Sequence, residues 1–132
     1  MSVKNLAISL LTLTVFQVCE RSFAAIPNPA SQQNLSCKSG PITKQFGGSE
    51  WLVYDCSDGR TVVVASAPGS SAGPFYFTLS PEMGKVRSRG EGKGNKAVTD
   101  AAAKELQAMS PADLQQLFDE VIRRTSSQNN SN

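Results

Sequence analysis

The stretch that decides the fold is residues 51–67, which read WLVYDCSDGRTVVVASA. Two runs rich in β-branched and aromatic residues, 51–56 and 61–67, flank the tetrapeptide Ser57-Asp58-Gly59-Arg60. Asp-Gly between such runs is a strong hairpin signal, because glycine accepts the positive φ that a tight turn requires. The sequence therefore predicts an antiparallel hairpin with its turn at residues 57–60.

Further strands are predicted on both sides of this hairpin, from residue 35 to about residue 90. Residues 75–80 (FYFTLS) alternate between larger apolar and more polar side chains, as a strand with one solvated face does. Residues 81–84 are expected to turn the chain, and residues 85–89 to form the next strand. Regular structure is expected to end at three glycines, Gly90, Gly92 and Gly94.

The core is predicted from the same alternation. The orientation of residues 51–54 is left open by the sequence, and in one arrangement Leu52 and Tyr54 fill the core together with Phe75, Phe77 and the valines. Trp51 and Tyr76 are then the candidates for an open face of the sheet, although a core position is favoured for the tryptophan. Exposed aromatic residues beside basic ones would suit a binding surface.

Two amphipathic helices follow the strands. Residues 95–109 carry an apolar stripe at helical spacing. Ser110 and Pro111 are typical of a helix start, and Asp113 completes a capping box. The second stripe consists of Leu114, Leu117, Phe118, Val121 and Ile122.

This order of elements predicts an α+β fold. Consecutive strands joined by short turns favour an antiparallel meander of four or five strands, and the two helices are expected to cover one of its faces. The predicted single domain spans residues 35–125, after a flexible lead-in at 25–34. The polar residues 126–132 are expected to form a disordered tail.

The first 24 residues have the features of a secretory signal peptide. Lys4 precedes the mostly apolar residues 6–18, and small residues precede a cleavage site after Ala24 or Ala25. The rival interpretations are an uncleaved anchor and lipidation at Cys19, although Val18 replaces the small residue that usually precedes a lipidated cysteine. We expect an exported protein that is periplasmic or secreted.

Charge limits the choice of partners. The chain has 13 Lys and Arg against 11 Asp and Glu, and loss of residues 1–24 leaves a net charge of +1. A balance this close to neutral excludes a general nucleic-acid binder. No other apolar run approaches membrane length, so stable membrane insertion is not expected after cleavage.

Cleavage would leave Cys37 and Cys56 as the remaining cysteines. In an oxidising compartment an even pair predicts one disulfide. A turn at Gly47-Gly48 would bring Cys37 back toward Cys56, with a bulge or bend at Pro41 absorbing the mismatch in register. A redox-active dithiol is disfavoured because the two cysteines lack the close Cys-x-x-Cys spacing.

The chain contains no histidine, which removes Ser-His-Asp and Cys-His catalysis and histidine-dependent zinc sites. We expect neither a catalytic residue nor a metal or cofactor site. A small carboxylate-dependent hydrolase that uses an acid such as Asp55 is the enzymatic alternative. A purely structural role in the cell envelope is the non-enzymatic alternative to a binding function.

Positive charge is concentrated in one segment. Residues 90–96 match neither a P-loop nor a dinucleotide fingerprint, because Gly94 is followed by Asn95 and the glycines fall at every second position. The candidate contacts for an unknown protein or an anionic envelope ligand are instead Lys85, Arg87, Arg89, Lys93 and Lys96. The alternative is a solvated edge strand protected by its cations.

Residues 54–64 (YDCSDGRTVVV) resemble the Tyr-x-Cys-x-x-Gly strand opening of bacterial periplasmic inhibitors of c-type lysozyme. Residues 70–73 (SSAG) are similar to the small-residue loop of that family. Cys37 precedes the motif, and the paired C-terminal helices do not belong to the inhibitors' small barrel, so membership is not inferred. The resemblance implies only that a small exported β domain with a disulfide can serve as an inhibitor.

Overall fold

The computed structural model describes residues 35–131. The predicted signal peptide, its cleavage site, Cys19 and the lead-in lie outside these residues. The described elements, in chain order, are β1 (Ser39–Phe46), β2 (Ser49–Asp55), β3 (Val62–Ser66), β4 (Phe75–Glu82), β5 (Lys85–Gly92), α1 (Lys96–Gln107) and α2 (Pro111–Asn129). The predicted α+β class, with strands first and two C-terminal helices, is confirmed.

The sheet is an antiparallel meander with the strand order β1-β2-β3-β4-β5. The predicted hairpin joins β2 to β3, with Trp51 paired to Ser66 and Asp55 paired to Val62. The Asp58 carboxylate organises the turn by accepting hydrogen bonds from the backbone N–H groups of Arg60 and Thr61. This Asx-type arrangement explains why the tetrapeptide forms a turn.

The disulfide between Cys37 and Cys56 is present, as predicted. The register of β1 against β2 shifts between Ser39 and Ile42, where Pro41 has no N–H to donate to the ladder. This irregularity is the bend that the sequence predicts at Pro41. The disulfide therefore joins the residue two positions before β1 to the residue that follows β2.

The core lies between one face of the sheet and the two helices. Trp51 is fully buried, its ring centroid lies 5.3 Å from that of Phe77, and its indole N–H donates to the Phe46 carbonyl. From the helices, Ala102, Leu106, Leu114, Leu117, Phe118 and Val121 complete the same cluster. Burial of this apolar surface is the main stabilising contribution to the fold.

The structure settles the orientation of β2 in favour of the core tryptophan. Trp51 and Val53 point into the core, and Leu52 and Tyr54 lie half-buried on the opposite face. Residues 51–54 are all apolar or aromatic, so alternation in the sequence does not distinguish the two faces. Tyr76 lies on the open face as the prediction allowed, and it is 40% exposed.

Two of the three glycines expected to end regular structure lie within a strand instead. Gly90 and Gly92 belong to β5, where they pair with Phe77 and Phe75. A Cβ atom on Gly90 would lie 2.8 Å from the ring of Phe75. The glycine therefore makes room for an aromatic ring in the core and does not interrupt the strand.

Both helix starts are capped. Asn95 accepts hydrogen bonds from the N–H groups of Ala97 and Val98, and Ser110 and Asp113 form the predicted capping box. The second helix continues to Asn129, so most of residues 126–132, which were expected to form a disordered tail, are helical. Hydroxyl groups of its last turns donate to carbonyls four residues earlier, as Ser126 does to Ile122, so this polar segment is compatible with a helix.

Candidate functional site

The face of the sheet opposite the helices, here called the open face, changes character from one side to the other. One row of paired residues runs Tyr54, Val63, Thr78, Arg89 across β2 to β5. A parallel row runs Leu52, Ala65, Tyr76, Glu91. Apolar side chains therefore occupy the β2–β3 side, and polar and charged ones the β4–β5 side.

The apolar side chains of this face are only partly covered. Leu52, Tyr54, Val63 and Ala65 are half-buried and do not belong to the core cluster formed with α1 and α2. Within residues 35–131, the helices thus bury one face of the sheet and leave the other to solvent.

A shallow groove of about 360 Å³ lies at the charged side of the open face. We call it the basic groove. It is lined by Arg60, Thr78, Ser80, Pro81, Glu82, Arg87 and Arg89. The lining thus includes three guanidinium groups, one carboxylate and two hydroxyl groups. Guanidinium groups bind carboxylates and phosphates with matching geometry.

The three arginines of the groove are not equivalent. Arg87 Nη1 lies 2.7 Å from Glu82 Oε1, and the Arg60 Nε atom lies 3.9 Å from Asp58 Oδ2. Arg89 has no ion-pair partner within residues 35–131. The guanidinium of Arg89 is therefore the one best able to bind an incoming anion.

Two titrating groups show how hydrogen bonds shape this surface. Partial burial opposes ionisation of Asp58, but hydrogen bonds from the Thr61 side chain and backbone and from the Arg60 backbone outweigh it and lower the pKa of this carboxyl. The Tyr76 hydroxyl donates to Glu91 Oε2 at 2.6 Å. That hydrogen bond, with the negative charge of Glu91, raises the pKa of Tyr76.

The structure brings together part of the predicted basic segment. Lys85, Arg87 and Arg89 alternate along β5 and point to the open face, as predicted, while Val86 is half-buried against the core. Lys93 follows the strand and does not line the groove. Lys96 is the first residue of α1, where it forms an ion pair of 2.6 Å with Asp100.

Arg60 is the groove residue that the sequence analysis did not single out. It lies in the β2–β3 turn, and the pairing of Val62 with Leu79 places that turn beside the end of β4. The signal for Arg60 is the antiparallel pairing of β3 with β4. Because Val62 pairs with Leu79, the turn that precedes Val62 lies beside the residues that follow Leu79. Leu52 and Tyr54 lie on the open face because Trp51 and Val53 occupy the core positions of β2.

Asp55 and Asp58, the two acids of the β2–β3 hairpin, lie in different settings. The Asp58 carboxylate is held by hydrogen bonds within its own turn. Asp55 lies on the helix-covered side of β2, and its Oδ1 atom is buried without a hydrogen-bond partner among the described residues. Between residues 35 and 131, no group of three or more Cys, Asp and Glu residues is placed to hold a metal ion.

Two findings bear on the compartment. A disulfide between Cys37 and Cys56 is compatible with an extracellular protein, because such bonds persist in oxidising environments. In the part of the chain that the structure describes, neither helix is long and apolar enough to cross a membrane.

Comparison of the chain with protein-family models, with curated proteins and with solved structures found no match. The similarity of residues 54–64 to the lysozyme-inhibitor motif therefore stays a local resemblance.

Proposed function

We propose that this protein is a non-catalytic binding module that captures the acidic surface of a partner protein on its open face. The observation that carries the proposal is the row Tyr54, Val63, Thr78, Arg89, which passes from apolar to cationic side chains across a single solvent-facing surface. Protein interfaces combine an apolar centre with a charged rim in this way. A polyanionic glycan would match the arginines and leave the apolar side without a counterpart.

The proposed division of labour follows from the chemistry of the two sides. Half-buried Leu52, Tyr54 and Val63 would supply apolar contact area. Arg60 and Arg89 would bind carboxylates and speed association through long-range attraction. An inhibitor or an adaptor needs this kind of surface and no catalytic group.

The site of action proposed for this module is outside the cytoplasm. The signal-peptide pattern of residues 1–24 and the cysteine pair support export, followed by release into the periplasm or the medium. Sequencing of the mature N-terminus tests this proposal, and a protein that starts at Ala25 or Ile26 is expected. An intact Met1 on cytosolic protein would contradict it.

The binding proposal is tested by removing charge from the groove. Arg60→Gln combined with Arg89→Gln should weaken partner capture at least tenfold and reduce its salt dependence, because two interfacial cations are lost. Arg123→Gln combined with Arg124→Gln is the matched control, since it removes the same charge from exposed positions on α2, outside the groove. Equal capture by the two double variants, with unchanged melting temperatures, would reject the groove as a contact.

A further inference from the structure

The tip of the β4–β5 hairpin carries Met83, whose backbone conformation and solvent exposure are both unfavourable for a methionine. Met83 is 98% exposed, and it is the only non-glycine residue with positive φ within residues 35–131, at φ 49°. The pairing of Glu82 with Lys85 makes Met83-Gly84 a two-residue turn. Asn-Gly is the preferred sequence for such a turn, because asparagine tolerates the left-handed region far better than an unbranched apolar residue.

Two unfavourable features thus coincide at one residue, since Met83 combines a disfavoured backbone conformation with a fully solvated apolar side chain. Strained residues that persist in a folded protein concentrate at contact and ligand sites. Methionine is also well suited to binding surfaces, because its flexible and polarisable side chain adapts to irregular apolar pockets.

The hairpin that presents Met83 is held in place. All eight residues of β4 pair with all eight of β5. Just below the tip, Arg87 Nη1 donates to both carboxylate oxygens of Glu82, at 2.7 and 2.8 Å. A tip fixed in this way loses little conformational freedom when it binds, which favours affinity.

We infer that Met83 is an anchor that inserts into an apolar pocket of the partner protein, with carboxylates of that partner lying around the pocket entrance. This inference rests on the proposed binding function and names the hairpin tip as a second contact beside the basic groove. The acidic entrance follows from charge complementarity, because Lys85 flanks the tip and Arg89 lies on the same face of β5.

A lipid surface fits the tip less well than a protein pocket. Binding to anionic membranes generally requires a cluster of four or more basic residues or a second apolar anchor. Near the tip, Glu82 neutralises Arg87, which leaves Lys85 beside the tip and Arg89 farther along β5. One methionine with these two cations does not meet that requirement.

The test uses substitutions that separate the side chain from the turn. Met83→Asn suits the positive φ and should raise the melting temperature by about 3 °C. It should also weaken capture of the partner about 10- to 100-fold, as expected for loss of a buried methionine side chain. Met83→Leu keeps an apolar side chain and should retain capture within a few-fold of the wild-type protein.

Ile122→Gln is the matched control, because Ile122 is an exposed apolar residue on α2 and lies outside the open face. It should leave capture unchanged. A photoreactive methionine analogue at position 83 should crosslink to apolar residues of the partner that lie within a few residues of Asp or Glu. Unchanged capture by Met83→Asn would overturn the anchor, and so would crosslinks to a second copy of this chain.

Vesicles of phosphatidylcholine with 30% phosphatidylglycerol test the lipid alternative, and Met83-dependent binding to them would also overturn the proposal. Two variants distinguish an error in the proposed Met83 anchor from an error in the proposed binding function. If Met83→Asn retains capture and the Arg60→Gln, Arg89→Gln variant loses it, only the anchor is wrong. If both variants capture as well as the wild-type protein, both proposals are wrong.

Discussion

Arg87 and Glu82 form an ion pair across the β4–β5 hairpin, with Nη1 at 2.7 Å from Oε1, at the edge of the basic groove. Glu82 is the single carboxylate among the residues that line this groove. Its negative charge therefore weakens the attraction of the groove for anions.

Glu82→Gln should increase the affinity of the groove for polyanions. Because the pair is nearly half exposed, its loss should change the free energy of unfolding by less than about 1 kcal/mol. The variant should elute from immobilised heparin, used only as an anionic probe, at higher salt than the wild-type protein. Arg89→Gln should elute at lower salt. Identical elution of all three proteins would show that the groove does not bind anions.

The disulfide should stabilise the domain without taking part in binding. It closes a loop with a sequence separation of 19 residues, for which chain entropy predicts a contribution of about 3 kcal/mol. Replacing Cys37 and Cys56 together with serine should lower the urea midpoint accordingly and leave partner capture intact. Thiol titration of the denatured mature protein should detect no free thiol. Two free thiols in material from the export compartment would contradict the pairing.

The β1–β2 turn should tolerate a side chain at one of its glycines and not at the other. A Cβ atom at Gly47 would collide with the Ala102 backbone nitrogen in α1, whereas one at Gly48 meets nothing within 4 Å. Both residues have positive φ. Gly48→Ala should therefore cost about 1 kcal/mol in unfolding free energy, and Gly47→Ala about 3 kcal/mol or more. Equal losses in urea denaturation would contradict the packing of α1 against this turn.

The stability contributed by Asp58 should depend on acid pH. Its folded-state pKa lies below the ordinary value of 3.8 because the ionised carboxylate accepts several hydrogen bonds. The contribution is therefore complete above pH 3.8 and is lost as the pH falls through the lower, folded-state pKa. The stability difference between the wild-type protein and Asp58→Asn should shrink below about pH 3.8. A difference that stays constant from pH 6 to pH 2 would contradict this account.

Fluorescence of the single tryptophan checks the orientation of β2. Trp51 is fully buried and its indole N–H is hydrogen-bonded to the Phe46 carbonyl. Acrylamide should therefore quench the native protein several-fold less than the urea-unfolded one. Equal quenching in both states would place Trp51 on the open face and reverse the assignment of Leu52 and Tyr54.

The features that the sequence predicts well are those encoded locally. The Asp58-Gly59 turn and the Ser110–Asp113 capping box each depend on a few consecutive residues, and both are present. The features that it misses depend on partners distant in sequence. In the sequence alone, Gly90 indicates the end of a strand. In the structure it lies within β5, because the rings of Phe75 and Phe77 occupy the space that a side chain at this position would need. Arg60 joins the groove only through the register of β3 against β4.

The exposure of Met83 also depends on residues distant in sequence. Sequence marks residues 81–84 as a turn, but neither the positive φ nor the exposure of the methionine can be derived from composition. Both follow from the register of β4 against β5, which leaves two residues to close the hairpin.

Site-specific photocrosslinking tests the central claim most directly. Benzoylphenylalanine would replace Thr78, in the middle of the open face, or Lys104, which is exposed on α1. Each variant would be irradiated in the compartment to which the protein is exported. We predict a discrete crosslinked protein from position 78, abolished by Arg60→Gln with Arg89→Gln, and none from position 104. Crosslinks from position 104 alone would place the partner on the helical side and contradict the account.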